Sequence, residues 1–249
     1  MPADTVRGMP QNVPMFEWTD NALRLRQFVY EFWCREGVGP NLRDVHEALG
    51  LARREIVQAY KELQLGVICV VDQDSQNCNL IKFQPFSSFP SQVKAFVDGR
   101  FHSYVGCAME SIAFSRMPPF EGKDVRFESW CACCFAPISF TARDGDVVER
   151  APDSFLIHVS ANPWDWGNVD ITAMCDTMNF VLDADHAERY EREVSRRGVL
   201  FTLDQAKLFV GPTGKHRMWD YHWAPSQMVP GAIVKGIQML GVDTGNWGA

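Results

Sequence analysis

The sequence lacks an excess of basic residues and contains no long apolar run. Its 24 Lys and Arg residues stand against 31 Asp and Glu residues, which gives a formal net charge of −7. Binding to the phosphates of nucleic acids relies on clustered positive charge, so this balance argues against a nucleic acid partner. No run of about 18 apolar residues occurs, and no apolar segment follows the charged start. We therefore expect a cytoplasmic protein without a membrane span.

The motifs of several common cofactor sites are also missing. The sequence contains no Gly-rich phosphate loop and no His-Glu-x-x-His zinc motif, and its six histidines are dispersed. Cysteine is abundant, however, and a cytoplasmic chain is expected to keep its thiols reduced. The segment WCACCFAP has the wrong cysteine spacing for a structural zinc site but leaves capture of a soft metal open. The eight cysteines are Cys34, Cys69, Cys78, Cys107, Cys131, Cys133, Cys134 and Cys175.

The first 86 residues predict a flexible arm followed by three helices and a hairpin. Residues 1–18 contain three prolines and little periodicity, which is typical of an arm. From residue 19 onward, apolar residues recur at helical spacing in three segments, and the last of these runs from Arg53 to Leu65. The segments VICVV and CNLIKF, on either side of a polar turn, then predict a β-hairpin. This order is typical of a winged helix, and we assign it to a domain over residues 19–86.

A winged helix suggests DNA binding through its third helix. Arg53, Arg54 and Lys61 would be the basic residues of that helix, but Glu55 and Glu62 lie on it as well. The first 95 residues hold 10 basic and 11 acidic residues, so the region is not basic. We therefore favour a structural or substrate-covering role for the region over DNA binding.

The remaining residues predict an antiparallel sheet with flanking helices. Residues 85–95 are typical of a linker or of a loop that covers the next domain. The segments DVRFESW, PISFTA, DSFLIHVS and VDITAMCDTMNFVL are strand-like and are separated by turn signals. Residues 183–198 predict a capped helix, and residues 199–210 predict a strand followed by a short helix. The expected fold class is α+β, with a core domain over residues 87–210.

The C-terminal residues 211–249 predict an extension that packs on the core. They are rich in Gly, Pro and aromatic residues. Trp219, Tyr221 and Trp223 are candidates to cover a pocket, although packing on the core is the favoured interpretation.

The segment YVGCAMESIAF, residues 104–114, places a thiol and a carboxylate three residues apart. On a helix, Cys107 and Glu110 share one face, and the free N–H groups of the first turn would favour a thiolate. The apolar surroundings of Glu110 would disfavour its charged form, so we expect a raised pKa and an acid that can donate a proton. From these residues alone, a packed helix with a buried Cys and an exposed Glu remains the alternative.

Cys175 is the second candidate thiol. If VDITAMCDTMNFVL is one strand, alternation places Ile171, Ala173 and Cys175 on one face, so Cys175 could face a cavity. Metal–sulfur bonds are roughly 2.3–2.5 Å long. If the sulfurs of Cys107 and Cys175 lie within about 4–5 Å of each other, they can therefore share one soft metal.

Three segments together resemble the organomercurial lyase (alkylmercury lyase) family of mercury-resistance systems. They are SYVGCAMESIAF, FESWCACCFAPISF and MCDTMNF, within a similarity that covers about residues 20–210. Family members have an aromatic-x-x-Cys-Ala-x-Asp segment, a Cys followed by a short loop and Pro, and a Cys four residues before an apolar-aromatic strand end. The resemblance implies an enzyme that cleaves carbon–mercury bonds.

The resemblance also implies roles for individual residues. Cys107 and Cys175 match the catalytic thiols that coordinate mercury, and Glu110 occupies the position of the catalytic Asp that protonates the carbon. Cys131 matches the buried structural cysteine of the family, and Tyr104 matches the aromatic residue that precedes the active segment. A small-molecule substrate, Hg(II) as product, release by cellular thiols and no further cofactor are implied. The sequence carries no indication of the oligomeric state.

The sequence departs from the family at two positions. Glu110 is one methylene longer than Asp, and Gly106 stands where the family commonly has Trp. The missing ring predicts a larger substrate pocket, formed by Tyr104, Gly106 and Phe114. A longer acid in a larger pocket would suit a substrate bulkier than methylmercury.

Two alternative functions stay open. An enzyme of the same fold could act on a non-mercurial organic substrate, with a Cys as nucleophile or acid/base group and Glu110 as its partner. A soft-metal-binding or metal-responsive DNA-binding protein could combine the winged helix with the cysteine cluster and have no catalytic activity.

Overall fold

The computed structural model describes residues 17–72, 76–164, 166, 174–210, 220–223, 229–245 and 247. Residues 1–16 of the predicted arm lie outside these ranges, as do Trp219, Ile171 and Ala173. The described residues form an α+β fold, as the order of segments predicts. The domain boundaries near residues 18, 86 and 210 stay a prediction.

Three helices open the described chain, in the order that the sequence predicts. They are α1 (Asp20–Glu36), α2 (Leu42–Leu49) and α3 (Arg53–Leu65). The side-chain oxygens of Thr19 and Asn41 cap the first turns of α1 and α2. Gly37 and Gly50 end the same helices with φ values of 74° and 69°, a left-handed conformation that Gly adopts without strain.

The larger sheet has eight antiparallel strands within the described residues, in the order β1-β2-β3-β5-β4-β6-β7-β8. Its strands are β1 (Cys69–Val71), β2 (Leu80–Phe83), β3 (Phe86–Ser87), β4 (Val93–Val97), β5 (Arg100–Val105), β6 (Val125–Trp130), β7 (Pro137–Arg143) and β8 (Asp146–Ala151). The predicted hairpin is β1 and β2. Because β2 also pairs with β3, through Lys82 with Ser87 and Phe83 with Phe86, the hairpin is part of the core sheet and not a free wing.

Residues 85–95 are only partly the linker that the sequence predicts. They contain β3 and the start of β4, with a loop over residues 88–92 between them. Val105 at the end of β5 pairs with Phe86 on one side and with Val93 on the other. These residues become strands because β5 offers a hydrogen-bonding edge on each side.

A second sheet has three antiparallel strands in the described chain, in the order β10-β9-β11. It consists of β9 (Leu156–Val159), β10 (Met178–Val181) and β11 (Val199–Phe201). The helix α5 (Ala184–Val194) follows β10, and α6, over residues 203–210, follows β11. Both helices agree with the sequence prediction.

The predicted strand that carries Cys175 is wrong over much of its described part. Met174 and Cys175 are helical, and strand structure begins only at Met178. The backbone N–H and the hydroxyl of Thr177 both donate to the carbonyl oxygen of Met174, at 3.4 and 2.6 Å. This turn interrupts the alternation that a continuous strand requires.

Aromatic side chains fill the core between α4 (Ala108–Phe114) and the two sheets. Phe114 stacks on Phe120 with ring centroids 4.6 Å apart and meets Phe127 edge-on at 5.8 Å. The contacts continue from Phe127 to Phe140 and from there to Phe180 of β10. All five rings are buried, so the aromatic chain ties α4 and β10 into one core.

The described part of the C-terminal extension packs on α1. Arg26 is fully buried, and its guanidinium donates to the carbonyl oxygens of Tyr221 and Trp223 at 2.8 and 2.9 Å. Tyr221 and Trp223, which the sequence suggests as cover for a pocket, therefore lie against α1. A helix that the sequence does not predict, α7 (Pro230–Met239), follows. In the described part of the chain, no helix is long and apolar enough to span a membrane.

Candidate active site

The thiol of Cys107 lies at the start of α4. β5 ends at Val105, and the N–H of Gly106 donates to the carbonyl oxygen of Pro85 at 2.7 Å. Cys107 is extended, with φ −161° and ψ 173°, and its Sγ accepts the N–H of Glu110 at 3.4 Å. The sulfur has the role that a Ser or Asp oxygen usually has at a helix N-cap. The backbone therefore fixes the position of this thiol.

The carboxylate of Glu110 folds back over Gly106. Glu110 is 7% exposed, so the alternative of an exposed Glu on a helix edge is wrong. A Cβ atom at position 106 would lie 2.2 Å from Oε2 of Glu110. The expectation that Gly106 enlarges the pocket is corrected accordingly, because the acid occupies the space that a side chain there would need.

Cys175 completes the cluster from the opposite side. It is 2% exposed and comes from the helical turn before β10. The ligand atoms of Cys107, Glu110 and Cys175 all lie within 4.8 Å of one another. The hydrogen bond with Cys107, burial and the charge of Glu110 raise the pKa of the Cys175 thiol well above its ordinary value. This thiol therefore keeps its proton at neutral pH.

Lys82 of β2 lies beside the cluster and escapes sequence reasoning. Its Nζ donates to Oδ1 of Asp176 at 2.5 Å, and the residue is 6% exposed. The signal was available in the strand LIKF, where alternation places Lys82 on the side of the buried Leu80. A lysine at an inward position of a strand is rare enough to indicate a site.

Met178 brings a third sulfur to the thiols. It is the first residue of β10, is 5% exposed, and its Sδ lies 3.9 Å from Sγ of Cys107. Its place depends on the turn that follows Cys175, which the sequence does not reveal. The thioether gives the cluster an additional soft, polarizable neighbour.

A cavity of about 330 Å³ opens onto the two thiols. Cavities of this size hold small organic molecules. A larger depression of about 610 Å³ lies between α2, α3 and residues 77–79, but its described lining includes neither a thiol nor a carboxylate. The smaller cavity is therefore the candidate active site. Its lining residues are Ile81, Lys82, Ser87, Phe89, Pro90, Ser91, Gln92, Gly106, Cys107, Cys175, Asp176, Met178 and Asn179.

Of the three predicted pocket residues, Gly106 lines this cavity and the other two do not. Tyr104 pairs with the lining residue Ser87, but its ring packs on Phe101 with centroids 5.3 Å apart. Phe114 lies two helical turns beyond the N-cap of α4, about 10 Å along the axis, and is fully buried in the aromatic core. The prediction is therefore wrong for Tyr104 and Phe114.

The cysteines of WCACCFAP lie in the loop between β6 and β7. Cys131 is fully buried, and its N–H and carbonyl oxygen bond to Ala136 and Phe135 at 2.8 and 2.9 Å. Cys133 is half-buried and Cys134 is exposed. Cys131 is thus buried, and the structural role that the resemblance implies for it stays a prediction.

Comparison with known proteins relates this cluster to one family. A family model described as MerB, alkylmercury lyase, matches residues 86–211, which is slightly more than half of the chain. The chain belongs to the alkylmercury lyase family. Cys107, Glu110 and Cys175 fall within the range that matches the alkylmercury lyases, whereas Lys82 precedes it.

Among solved structures, the mercury-bound form of MerB2 has a similar fold. The TM-score is 0.64 at 19% sequence identity, and the match covers 83% of this chain and 93% of that one. At this sequence identity the similarity shows that the two proteins share a fold, and no more. None of the curated proteins matches the sequence significantly.

Proposed function

We propose that this protein cleaves the carbon–mercury bond of organomercurials by thiolate coordination and protonolysis. The supporting observation is the convergence of two thiols and one carboxyl group within 4.8 Å of one another, where both thiols line a cavity. Mercury is a soft ion that prefers sulfur ligands. A similarly folded protein, MerB2, has been crystallised in a mercury-bound form.

Coordination is the first step. An organomercurial R–Hg–X, with X a labile ligand, meets Cys107, whose sulfur displaces X, and the thiol proton leaves with X as HX. The sulfur of Cys175 then adds to the same mercury. Since this second thiol holds its proton at neutral pH, the proton has to move as the bond forms, and the Glu110 carboxylate takes it.

Protonolysis is the second step. Two sulfur ligands increase the electron density on the carbon bound to mercury. Glu110 gives its proton to that carbon, the electron pair of the carbon–mercury bond stays with the carbon, and the hydrocarbon R–H leaves. Hg(II) remains on the sulfurs of Cys107 and Cys175, and Glu110 is again a carboxylate. The fixed positions of the thiol and the acid supply the orientation that this step needs.

Release is the last step. Two cellular thiols exchange with the two cysteine sulfurs, take Hg(II) away as a dithiolate and return a proton to each cysteine. The sequence of steps uses only the side chains of the cluster and external thiols.

Release of benzene from phenylmercury in excess thiol tests the proposal. Cys107→Ser and Cys175→Ser are each expected to lower the rate by about 10³-fold or more, because a hydroxyl is a poor ligand for mercury. Cys34→Ser is the matched control. Its thiol, whose pKa burial raises to about 12, is not among the lining residues. Gas chromatography of the headspace measures the product.

Three outcomes would contradict the proposal in different ways. Tight uptake of mercury without benzene would make the protein a soft-metal binder. If the protein neither takes up mercury nor releases benzene at saturating thiol, a non-mercurial substrate would be favoured. Full activity in both serine variants would remove the two thiols from the mechanism.

A further inference from the structure

Lys82 places a positive charge in the wall of the cavity that the two thiols share. Its side chain is 7% exposed, and Nζ donates to Oδ1 of Asp176 at 2.5 Å. The side chain of Asp176 is 61% exposed, so water solvates that carboxylate. The ammonium group is therefore the buried member of the pair, and the carboxylate is the hydrated member.

Lys82 stays charged at neutral pH. Burial opposes its charge, but the ion pair with Asp176 favours it, and the pKa of Lys82 lies above its ordinary value. An ammonium group carries three N–H donors, and the bond to Asp176 uses one of them. Among the described residues Asp176 is the hydrogen-bond partner of Nζ, which leaves two donors of the buried cation for a ligand.

Other polar groups of the wall are directed to the protein backbone. The hydroxyls of Ser87 and Ser91 and the side-chain amides of Gln92 and Asn179 donate to carbonyl oxygens at 2.6 to 3.0 Å. Much of the remaining wall is apolar, and Ile81 and Met178 belong to this apolar part. The ligand that suits such a wall is an apolar group with an anionic end.

We infer that Lys82 forms an anion-binding subsite, and that the preferred substrates are organomercurials whose carbon group carries a carboxylate or a similar anion. The inference rests on the proposed carbon–mercury cleavage. A carboxylate on the organic group would accept a hydrogen bond from the ammonium of Lys82, which lines the same cavity as the proposed mercury ligands Cys107 and Cys175. A charge-assisted hydrogen bond at a buried cation is strong enough to set a preference between substrates.

The test compares phenylmercury with its para-carboxylate, two substrates that differ by one charged group. We expect the wild-type protein to have the higher kcat/KM for the para-carboxylate. Lys82→Met should lower the ratio of the two kcat/KM values about 10- to 100-fold, mainly through KM. Met keeps the length of the Lys stem, and its introduction leaves Asp176 in water, so the variant is expected to fold.

Two further variants serve as controls. Lys82→Arg keeps the charge and should retain part of the preference. Lys94→Met removes a lysine of β4 that is not among the described lining residues, and it should keep the wild-type ratio.

An unchanged ratio in Lys82→Met would overturn the inference, even if both rates fell together, since a loss common to both substrates is a structural effect. Cleavage of neither substrate by the wild-type protein would instead overturn the proposed function. Calorimetric titration with the two arylmercurials would then still test the subsite, and equal affinities of the wild-type protein for both would overturn it.

Discussion

The two sides of the cavity differ in how the chain builds them. On the α4 side, Gly106, Cys107 and Glu110 lie within five consecutive residues, and one helix start fixes the sulfur and the acid. On the β10 side, Lys82 and Asp176 meet across 94 residues of sequence. The first side forms with local structure, whereas the second exists only once both sheets have assembled. The difference indicates that the reacting pair is set locally and that the charge of the cavity is set by the tertiary fold.

The largest expected effect is a loss of kcat, and it comes from a change on the α4 side, the replacement of Gly106 by Ala. The new Cβ would overlap Oε2 of Glu110, which has to move. Because that atom is the end of a flexible side chain, we expect a nearly unchanged Tm but about 100-fold lower kcat for benzene release, the usual result of misplacing a reacting group by about 1 Å. Gly236→Ala is the control, since its Cβ would meet no atom within 4 Å.

A double variant sharpens this prediction. In Glu110→Asp the shorter acid withdraws from position 106, so adding Gly106→Ala should lower kcat less than it does beside Glu110. Equal losses in the two backgrounds would show that residue 106 and the acid act independently, contrary to the observed contact.

Replacing Gln92 by Leu should have a smaller effect, on the β10 side. The amide of Gln92 donates to the carbonyl oxygen of Trp130 at 2.9 Å and accepts the N–H of Phe180 at 3.2 Å, which joins the loop over residues 88–92 to β10. Loss of both bonds should lower the free energy of unfolding by about 1–3 kcal/mol and reduce kcat/KM about tenfold. Urea unfolding and benzene release measure the two effects.

The exposed Gln27 of α1 offers the matched control. Gln27→Leu should change the free energy of unfolding by less than about 0.5 kcal/mol. If Gln92→Leu were as stable and as active as this control, the bridge to β10 would have no role in positioning that side.

Alkylation kinetics should reveal the smallest difference, in the thiol of the β10 side. A raised pKa lowers the thiolate fraction at any given pH, so Cys175 should react with iodoacetamide more slowly than the exposed Cys134 at pH 8. Its rate should still rise above pH 9.0, where an ordinary thiol is already half ionised. Mass spectrometry of digested samples measures both thiols, and equal rates at pH 8 would contradict the raised pKa.

The same local and long-range difference explains what the sequence could predict. The helix that carries Glu110, with Cys107 at its start, follows from spacing within a few residues, and so do α1 to α3. The conformation at Cys175 does not follow, because Thr177 makes a turn within a segment whose composition favours a strand.

The partner of Lys82 was also beyond local reasoning. Alternation in LIKF could mark Lys82 as an inward residue, but its pairing with Asp176 depends on the turn before β10, far along the chain. The prediction that Phe114 forms part of the substrate pocket failed for a different reason. Phe114 shares its helix with the acid, but it packs on Phe120 in the aromatic core. Position along a helix alone does not tell which face meets a cavity.

The ladder between β2 and β3 consists of two residue pairs, Lys82 with Ser87 and Phe83 with Phe86. Because neighbouring side chains of a strand point to opposite faces, a slip of one residue would turn Lys82 away from its place in the cavity wall. The length of the connection at residues 84–85 thus determines whether an ammonium group lines the cavity. Insertion or deletion of one residue there would change which substrates the cavity prefers, without replacing either thiol.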